Sequence, residues 1–262
     1  MELRRVELDG RTVTLRSAGE GVDLVAVHGL AGSWRWWSPL VARLSAECRV
    51  HLVQLPRLGR FRGADLSMWL ERLLDAAGLG TVHLAGHSLG GLVASELAML
   101  QPERVRRLVL IAPAGISCER STSSRVLALL EELRALRAYY RTIVGDAIRT
   151  GPAGLAHGIT YVWDHDLRAE LGAVQAPTLL VWGDHDRLVP GWLAETWQRS
   201  LPGAQVVRLQ CGHVPMWESP QELASSMLAF LHEIPNDSRH ELRLGERDRV
   251  RLSGDDHEPS VR

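Results

Sequence analysis

Apolar and polar positions alternate at the start of the chain and then give way to longer strand and helix patterns. Residues 2–17 alternate around Asp9-Gly10, which predicts a β-hairpin with a tight turn. A continuously apolar segment at residues 22–29 is typical of a strand buried on both faces. Further strands are predicted at 48–55, 82–87, 105–113, 176–183 and 205–210. Helical spacing between them predicts helices that end near Leu44 and cover about 66–77, 89–100, 192–197 and 221–231.

Strands alternate with helices at short intervals, and this order predicts an α/β fold with a parallel sheet covered by helices on both faces. The strand pattern stops between residues 115 and 173, a segment that we call the helical insertion. Apolar residues recur there at helical spacing from Val126 to Val144, which predicts an amphipathic helix or a broken pair of helices. We expect most of these side chains to pack against the sheet, and the insertion to form a cap that supplies a substrate pocket.

The domain organisation that follows is one α/β core, an insertion and a tail. A chain of 262 residues suits one large domain, which we place at residues 1–114 and 174–234, with the cap at 115–173. Residues 235–262 are mixed in charge and nearly free of large apolar side chains. We expect this tail to be disordered or loosely attached to the core.

The overall charge and composition exclude several function classes. The net charge of −1 and the pI of about 6.8 provide no field suited to nucleic acid or to an anionic membrane surface. Lysine is absent, which excludes Schiff-base chemistry on a lysine.

Cys48, Cys118 and Cys211 lie far apart, so we expect no disulfide framework, and Cys211 has no base of its own. Without a signal-peptide pattern or a membrane-spanning run, the sequence predicts a cytoplasmic protein, whose oligomeric state stays open.

The candidate nucleophile is Ser88, in the pattern G-x-S-x-G formed by Gly86 to Gly90. An apolar strand precedes this turn and a helix-forming segment follows it, which is the context of a nucleophile elbow. Glycines let the backbone crowd a strained serine and leave its hydroxyl exposed at the strand end. The first amides of the following helix should point toward the serine, where developing negative charge is stabilised.

A serine hydroxyl needs a base, and that base needs a carboxylate to orient it. Asp186 follows the predicted strand TLLVWG and His213 follows QVVRLQ, so both fall at carboxyl ends of parallel strands, on the edge where Ser88 lies. Asp184 is the rival carboxylate. His28, His87 and His185 match no metal-ligand spacing, so we interpret them as turn or hydrogen-bonding residues and predict no metal site.

Residues 11–233 resemble a Ser-dependent α/β-hydrolase with an inserted cap. Four segments carry the resemblance: HGLAGS (28–33), GHSLGG (86–91), WGDHDRLVP (182–190) and GHVPMWESP (212–220). The chain order Ser, Asp, His is also that of these hydrolases. The resemblance implies Ser88 as nucleophile, His213 as general base and then acid, and Asp186 as the orienting carboxylate. It also implies an oxyanion hole formed by the backbone amides of Leu30 and Leu89, and no cofactor.

The function expected from this resemblance is hydrolysis of carboxylic esters through an acyl-enzyme, with small or medium-sized apolar substrates. A thioesterase, a lactonase, a C–C bond hydrolase and a haloperoxidase-like relative use the same triad, and a ligand-binding receptor can share the scaffold. Serine at the elbow argues against haloalkane dehalogenases and epoxide hydrolases, whose nucleophile is aspartate. We expect Trp34, Trp36 or Trp37 to wall an apolar pocket, with at least one of them packed under the first helix.

The loop from Gln54 to Phe61 departs from the family pattern D-x-P-G-x-G-x-S. The aspartate and the first glycine are absent, and arginines occur at 57, 60 and 62. We interpret this segment as a solvated loop. The alternative is that it presents positive charge to a partner that carries a carboxylate or a phosphopantetheine group.

Overall fold

The computed structural model describes residues 1–56, 65–118 and 122–233, and in this part of the chain the sheet begins with the predicted hairpin. Strands β1 (Glu2–Leu8) and β2 (Arg11–Ala18) pair antiparallel. Asp9 and Gly10 join them with φ values of 52° and 71°, a pair of left-handed residues that suits a tight hairpin turn. The basic loop at 57–62 and the tail at 235–262 lie outside the described residues.

The described residues form one sheet of eight strands in the order β1-β2-β4-β3-β5-β6-β7-β8. The remaining strands are β3 (Val22–Val27), β4 (Cys48–Val53), β5 (Val82–His87), β6 (Val105–Ile111), β7 (Thr178–Gly183) and β8 (Gln205–Leu209). Strand β2 pairs antiparallel with β4, and all pairs from β4 to β8 are parallel. The predicted mostly parallel sheet with an N-terminal antiparallel hairpin is therefore confirmed.

Helices cover both faces of the sheet, as the continuously apolar strands require. They are α1 (Ser38–Leu44), α2 (Asp65–Ala76), α3 (Leu89–Leu100), α4 (Thr122–Ala135), α5 (Tyr140–Asp164), α6 (Leu193–Ser200), α7 (Pro215–Glu218) and α8 (Pro220–His232). Because successive strand residues point to opposite faces, Val25 belongs to the core cluster that includes side chains of α2, α3 and α6, whereas Leu24 belongs to the cluster that includes side chains of α1, α7 and α8. The short helix α7 was not predicted from the sequence.

Two of these helices, α4 and α5, lie between β6 and β7, in the helical insertion. The sequence predicted an amphipathic helix or a broken pair. A further break occurs inside α5, where Gly151 has a φ of 75° and precedes Pro152. Residues Met1–Leu231 form one compact unit, and the second unit, His232–Arg262, is described only at His232 and Glu233. No helix in the described ranges combines the length and apolar character needed to cross a bilayer.

The register of the parallel strands brings their carboxyl ends to one edge of the sheet. Val27 pairs with Gly86, His87 with Ile111, and Gly183 with Leu209. The loops that leave these strands therefore start at the same level. They carry the candidate residues predicted from the sequence.

Candidate active site

Ser88 occupies a sharp turn between β5 and α3. Its backbone has φ 52° and ψ −116°, a region that non-glycine residues rarely adopt and that is typically found at functional sites. The turn is fixed by a hydrogen bond of 3.0 Å from the Ser88 amide to the Ile111 carbonyl. Gly86 and Gly90 have to be glycine, because a Cβ on Gly86 would overlap the Gly90 carbonyl and one on Gly90 would overlap the Val27 carbonyl.

Asp186 and His213 meet at the same edge of the sheet. Nδ1 of His213 lies 2.8 Å from Oδ2 of Asp186, and both residues are buried. The other oxygen of Asp186 accepts hydrogen bonds of 2.9 Å from the amides of Leu188 and Val189, which fix the carboxylate. Asp184, the rival carboxylate, instead accepts a hydrogen bond from the side chain of Gln210. The structure thus brings Asp186, and not Asp184, to His213.

Two opposing effects set the pKa of His213. Burial acts to lower the pKa, while the carboxylate of Asp186, helped by Glu132 and Glu218, raises it. The attraction to the carboxylates outweighs burial, so the pKa of His213 is raised above its ordinary value of 6.5. Because Nδ1 is held by Asp186, Nε2 is the ring nitrogen left to exchange a proton with a reacting group.

The turn that carries His213 is held by carboxylates that the sequence analysis missed. Glu218 accepts hydrogen bonds from the amides of Gly212 and Val214, at 2.9 and 3.2 Å. Glu132, in α4 of the insertion, accepts one of 3.0 Å from the amide of His213 itself. The sequence did contain a signal for Glu132, since it interrupts the apolar stripe of the insertion between Leu129 and Leu136.

The loop after β3 passes directly beside the Ser88 turn. A Cβ built on Gly29 would lie 3.1 Å from the Cβ of Ser88, so the loop and the turn are in close contact. Within the described ranges, the amides of Leu30 and Leu89 have no hydrogen-bond acceptor. Two unpaired amides beside a serine are the donors that an oxyanion hole requires.

The same loop is anchored by Asp146 of α5, another residue that sequence reasoning missed. The buried Asp146 carboxylate accepts hydrogen bonds from Ser33 Oγ at 2.7 Å and from Trp36 Nε1 at 3.1 Å. Arg149, one turn further along α5, donates to the carbonyl of Gly32. The insertion therefore contacts both the loop after β3 and the turn that carries His213.

Ser88 and His213 line a cavity of about 280 Å³. Most of the remaining wall is apolar and comes from the insertion, the loop after β6 and the segment before α6. Trp36 contributes to the wall, whereas Trp37 is buried in the core beside α1. Leu30 also lines this cavity, and Leu89 lines a smaller one adjoining the same loop. Among the described residues, no hydrogen bond joins the Ser88 hydroxyl to His213. In hydrolases without bound substrate, catalytic hydrogen bonds are often long and shorten only when substrate binds.

Two of the other histidines near the site, His28 and His87, form side-chain hydrogen bonds. Nδ1 of His28 lies 2.8 Å from the Gly29 carbonyl and its Nε2 accepts from the Leu55 amide, while burial lowers the pKa of His28 to about 4. Nε2 of His87 donates to the carbonyl of His213 at 2.8 Å, and burial, followed by the neighbouring His213, lowers the pKa of His87 well below 6.5. His185 is exposed. The buried rings of His28 and His87 are therefore neutral.

Gln54 and Cys211 also lie near these loops. Gln54, at the position of the family's usual aspartate, has its side-chain amide 2.8 Å from Nε2 of His28. All three cysteines are free. Burial, followed by the charge of Glu218, raises the pKa of Cys211 to about 12. The Cys211 thiol stays protonated at neutral pH and is not an activated nucleophile.

Comparisons with known proteins identify a family and several relatives of this chain. A model described as the Alpha/beta hydrolase family matches residues 24–226. The pimeloyl-[acyl-carrier protein] methyl ester esterase of Nitrosomonas europaea is 31% identical over 246 residues, which cover 82% of this chain and 97% of that protein. Carboxylesterase YbfK of Bacillus subtilis is 29% identical over 240 residues, or 80% of each chain. Among solved structures, a hydrolase from Pseudomonas aeruginosa matches with a TM-score of 0.73 and 25% identity, covering 88% of this chain and 98% of that one.

Proposed function

We propose that this chain, which belongs to the alpha/beta hydrolase family and is a carboxylic ester hydrolase, works through an acyl-enzyme formed on Ser88. The observation that carries the proposal is that the strained Ser88 turn and His213, which is paired with Asp186, line one cavity, with two unpaired amides beside the same turn. Each part has a distinct role in ester hydrolysis.

In the first half of the reaction, Nε2 of His213 takes the proton of the Ser88 hydroxyl as the oxygen attacks the ester carbonyl. Asp186 keeps the proton on Nδ1 and stabilises the imidazolium that forms. His213 then gives the proton to the departing alcohol. In the second half, His213 takes a proton from water as the water oxygen attacks the acyl-enzyme. His213 then returns a proton to Ser88 Oγ as the bond between serine and the acyl group breaks and the acid is released.

We assign the stabilisation of the negative charge that develops on the carbonyl oxygen to the backbone amides of Leu30 and Leu89. A donor of this kind lowers the barrier by about 3 kcal/mol because it meets charge that is present only in the tetrahedral intermediate. Leu89 begins α3, so the positive end of that helix adds to the stabilisation. Leu30 follows Gly29, whose small size permits the close approach.

The helical insertion at 115–173 is proposed as the cap over a core made of 1–114 and 174–234. Its residues supply much of the apolar cavity wall, including Leu129, Ile159 and Trp163. The cavity volume of about 280 Å³ lies at the lower end of the range of roughly 300–1,000 Å³ for small-molecule sites. We therefore propose apolar substrates of small or medium size, with the acyl group in this cavity.

The nucleophile is tested with Ser88→Ala and a matched control, Ser17→Ala. Ser17 is also hydrogen-bonded to a histidine, since its Oγ lies 2.8 Å from Nδ1 of His51, but it does not line the cavity. We expect Ser88→Ala to lower kcat on a p-nitrophenyl ester by about 10⁴-fold or more. Ser17→Ala should retain turnover. Equal activity in wild type and Ser88→Ala would refute the proposal.

The substrate class is tested with p-nitrophenyl esters of increasing acyl length, together with thioesters and lactones. Medium-chain or aromatic acyl groups should give a higher kcat/KM than acetate, and a clear preference for acetate would contradict the apolar acyl site. A fluorophosphonate probe should label the wild type and not Ser88→Ala. Saturable ligand binding without any acylation would instead indicate a receptor.

A further inference from the structure

Three consecutive backbone amides around His213 are bound by carboxylates from two different parts of the molecule. The amides of Gly212 and Val214 donate to Glu218, only a few residues further along the chain. The middle amide, that of His213, donates to Glu132, which lies 81 positions earlier in the chain. The local carboxylate therefore orients the flanks of the turn, and the insertion orients its centre.

Glu132 occupies a position at which a carboxylate is unusual. It is 4% exposed, and among the residues that the structure describes it is the one acidic side chain lining the cavity with Ser88 and His213. It lies three positions after Leu129 of α4 and four before Leu136, which follows the helix, and both of these leucines also line the cavity. A buried carboxylate costs free energy unless it is hydrogen-bonded. The hydrogen bond from the His213 amide offsets this cost, so the position of Glu132 is linked to that of the His213 turn.

We propose that Glu132 is a positioning residue through which the helical insertion fixes the general base, so that His213 is correctly placed only when α4 lies over the cavity. This inference rests on the proposed roles of Ser88 and His213. The turn from residue 210 to 214 is short and lies between β8 and α7. Removal of Glu132 would leave the His213 amide buried without an acceptor, which favours a shift of the turn and of the ring that it carries.

Glu132 also contributes charge, which separates its role from that of a neutral hydrogen-bond acceptor. Burial raises the pKa of Glu132, while the neighbouring His213 acts in the opposite direction, and Asp186 and Glu218 also face this group. The negative charge of Glu132 in turn helps to raise the pKa of His213. Glutamine at this position keeps an oxygen for the amide and removes the charge.

The experiment compares Glu132→Gln and Glu132→Ala with the matched control Glu131→Gln. Glu131 is the adjacent residue of α4, and its half-exposed carboxylate pairs with Arg187 at 2.7 Å without contacting His213. All variants are measured for kcat, KM and the pH dependence of kcat/KM on one ester. Fluorophosphonate labelling rates and thermal melting are recorded alongside.

The three variants should behave differently. Glu132→Ala should lower kcat roughly tenfold to hundredfold through misplacement of the base, with a smaller change in KM. Glu132→Gln should recover most of that kcat. In this variant the acid limb of the pH profile should move to lower pH, because His213 loses a neighbouring negative charge. Glu131→Gln should resemble the wild type in both respects.

A kcat of Glu132→Ala equal to that of Glu131→Gln would overturn the inference. If Glu132→Ala does not fold, the pH profile of Glu132→Gln decides, and an unshifted acid limb would likewise overturn it. The proposed function fails separately, by absence of Ser88-dependent turnover in the wild type. The two failures are therefore distinguishable.

Discussion

Gly29 lies where the loop after β3 passes the Ser88 turn, and Gly29→Ala tests whether this loop supplies an oxyanion donor. The φ of Gly29 does not fall among the positive values found elsewhere in the chain, so alanine causes no backbone strain there. The added Cβ would lie 2.9 Å from Nδ1 of His87 and 3.1 Å from the Cβ of Ser88. Ordinary contacts between such atoms are about 3.5–4.0 Å, so the neighbours must separate by about 0.5 Å.

The loop is the part that has to move. His87 is fully buried, and its Nε2 is committed to the His213 carbonyl at 2.8 Å, while Ser88 is fixed by hydrogen bonds on both sides of its backbone. The displacement therefore falls on the loop that carries the Leu30 amide. Loss of one oxyanion donor costs about 10²–10³-fold in kcat. A partial displacement should lower kcat roughly tenfold to hundredfold, with little change in KM because the donor acts on the transition state.

The assay is steady-state hydrolysis of one p-nitrophenyl ester by Gly29→Ala, with Gly80→Ala as the matched control. A Cβ on Gly80 would meet no heavy atom within 4 Å, so this variant should keep the wild-type kcat. Thermal melting shows whether both variants remain folded. A folded Gly29→Ala enzyme with kcat within twofold of wild type would refute the assignment of the Leu30 amide to the oxyanion hole.

Three further predictions concern other parts of the same machinery. Because the neighbouring carboxylates raise the pKa of His213 and the base must be neutral, kcat/KM should fall with decreasing pH around a midpoint above 6.5; a midpoint at or below 6.5 would contradict this. Asp146→Ala leaves Ser33 and Trp36 without their acceptor, so the free energy of unfolding measured with denaturant should fall by about 3–5 kcal/mol, and kcat should also fall. An unchanged kcat would show that Asp146 does not influence catalysis. Gly145→Ala, at an exposed helical position with no heavy atom within 4 Å of the added Cβ, should raise the free energy of unfolding by roughly 0.5–1 kcal/mol, and destabilisation would show that the position is not open.

The parts of the fold and site that the sequence predicted are those fixed by local pattern and sheet topology. The hairpin follows from alternation around Asp9-Gly10, and the parallel sheet follows from strands that alternate with helices. The proximity of Asp186 and His213 follows from the same topology, because both come directly after strands whose carboxyl ends share an edge. The catalytic roles of these residues remain predictions, for which Ser88→Ala is the first test.

The contacts of the insertion were beyond sequence reasoning because they join distant residues. Asp146 and Ser33 are 113 positions apart, and Glu132 and His213 are 81 apart. Helical spacing predicts which residues share a face of α4, but the packing of that face against the strand ends depends on the whole connection between β6 and β7. A glutamate within an apolar stripe was the available signal. It indicates a buried carboxylate without identifying its partner.

A second Ser–His–Asp chain in this protein shows which physical features make such a chain reactive. Ser17 Oγ lies 2.8 Å from Nδ1 of His51, and Nε2 of His51 lies 2.7 Å from Asp23. Burial, which outweighs the nearby Asp23, lowers the pKa of His51, whereas the pKa of His213 is raised.

The surroundings of the two serines also differ, and they too favour Ser88 as the reactive serine. Ser17 is in a strand whose backbone pairs with neighbours on both sides, and neither cavity described above is lined by it. Ser88 has a strained backbone, two unpaired amides beside it and a cavity in front of it. Hydrogen bonding among serine, histidine and aspartate is therefore insufficient for nucleophilic catalysis, and these three additional features are the reason for assigning the reaction to Ser88.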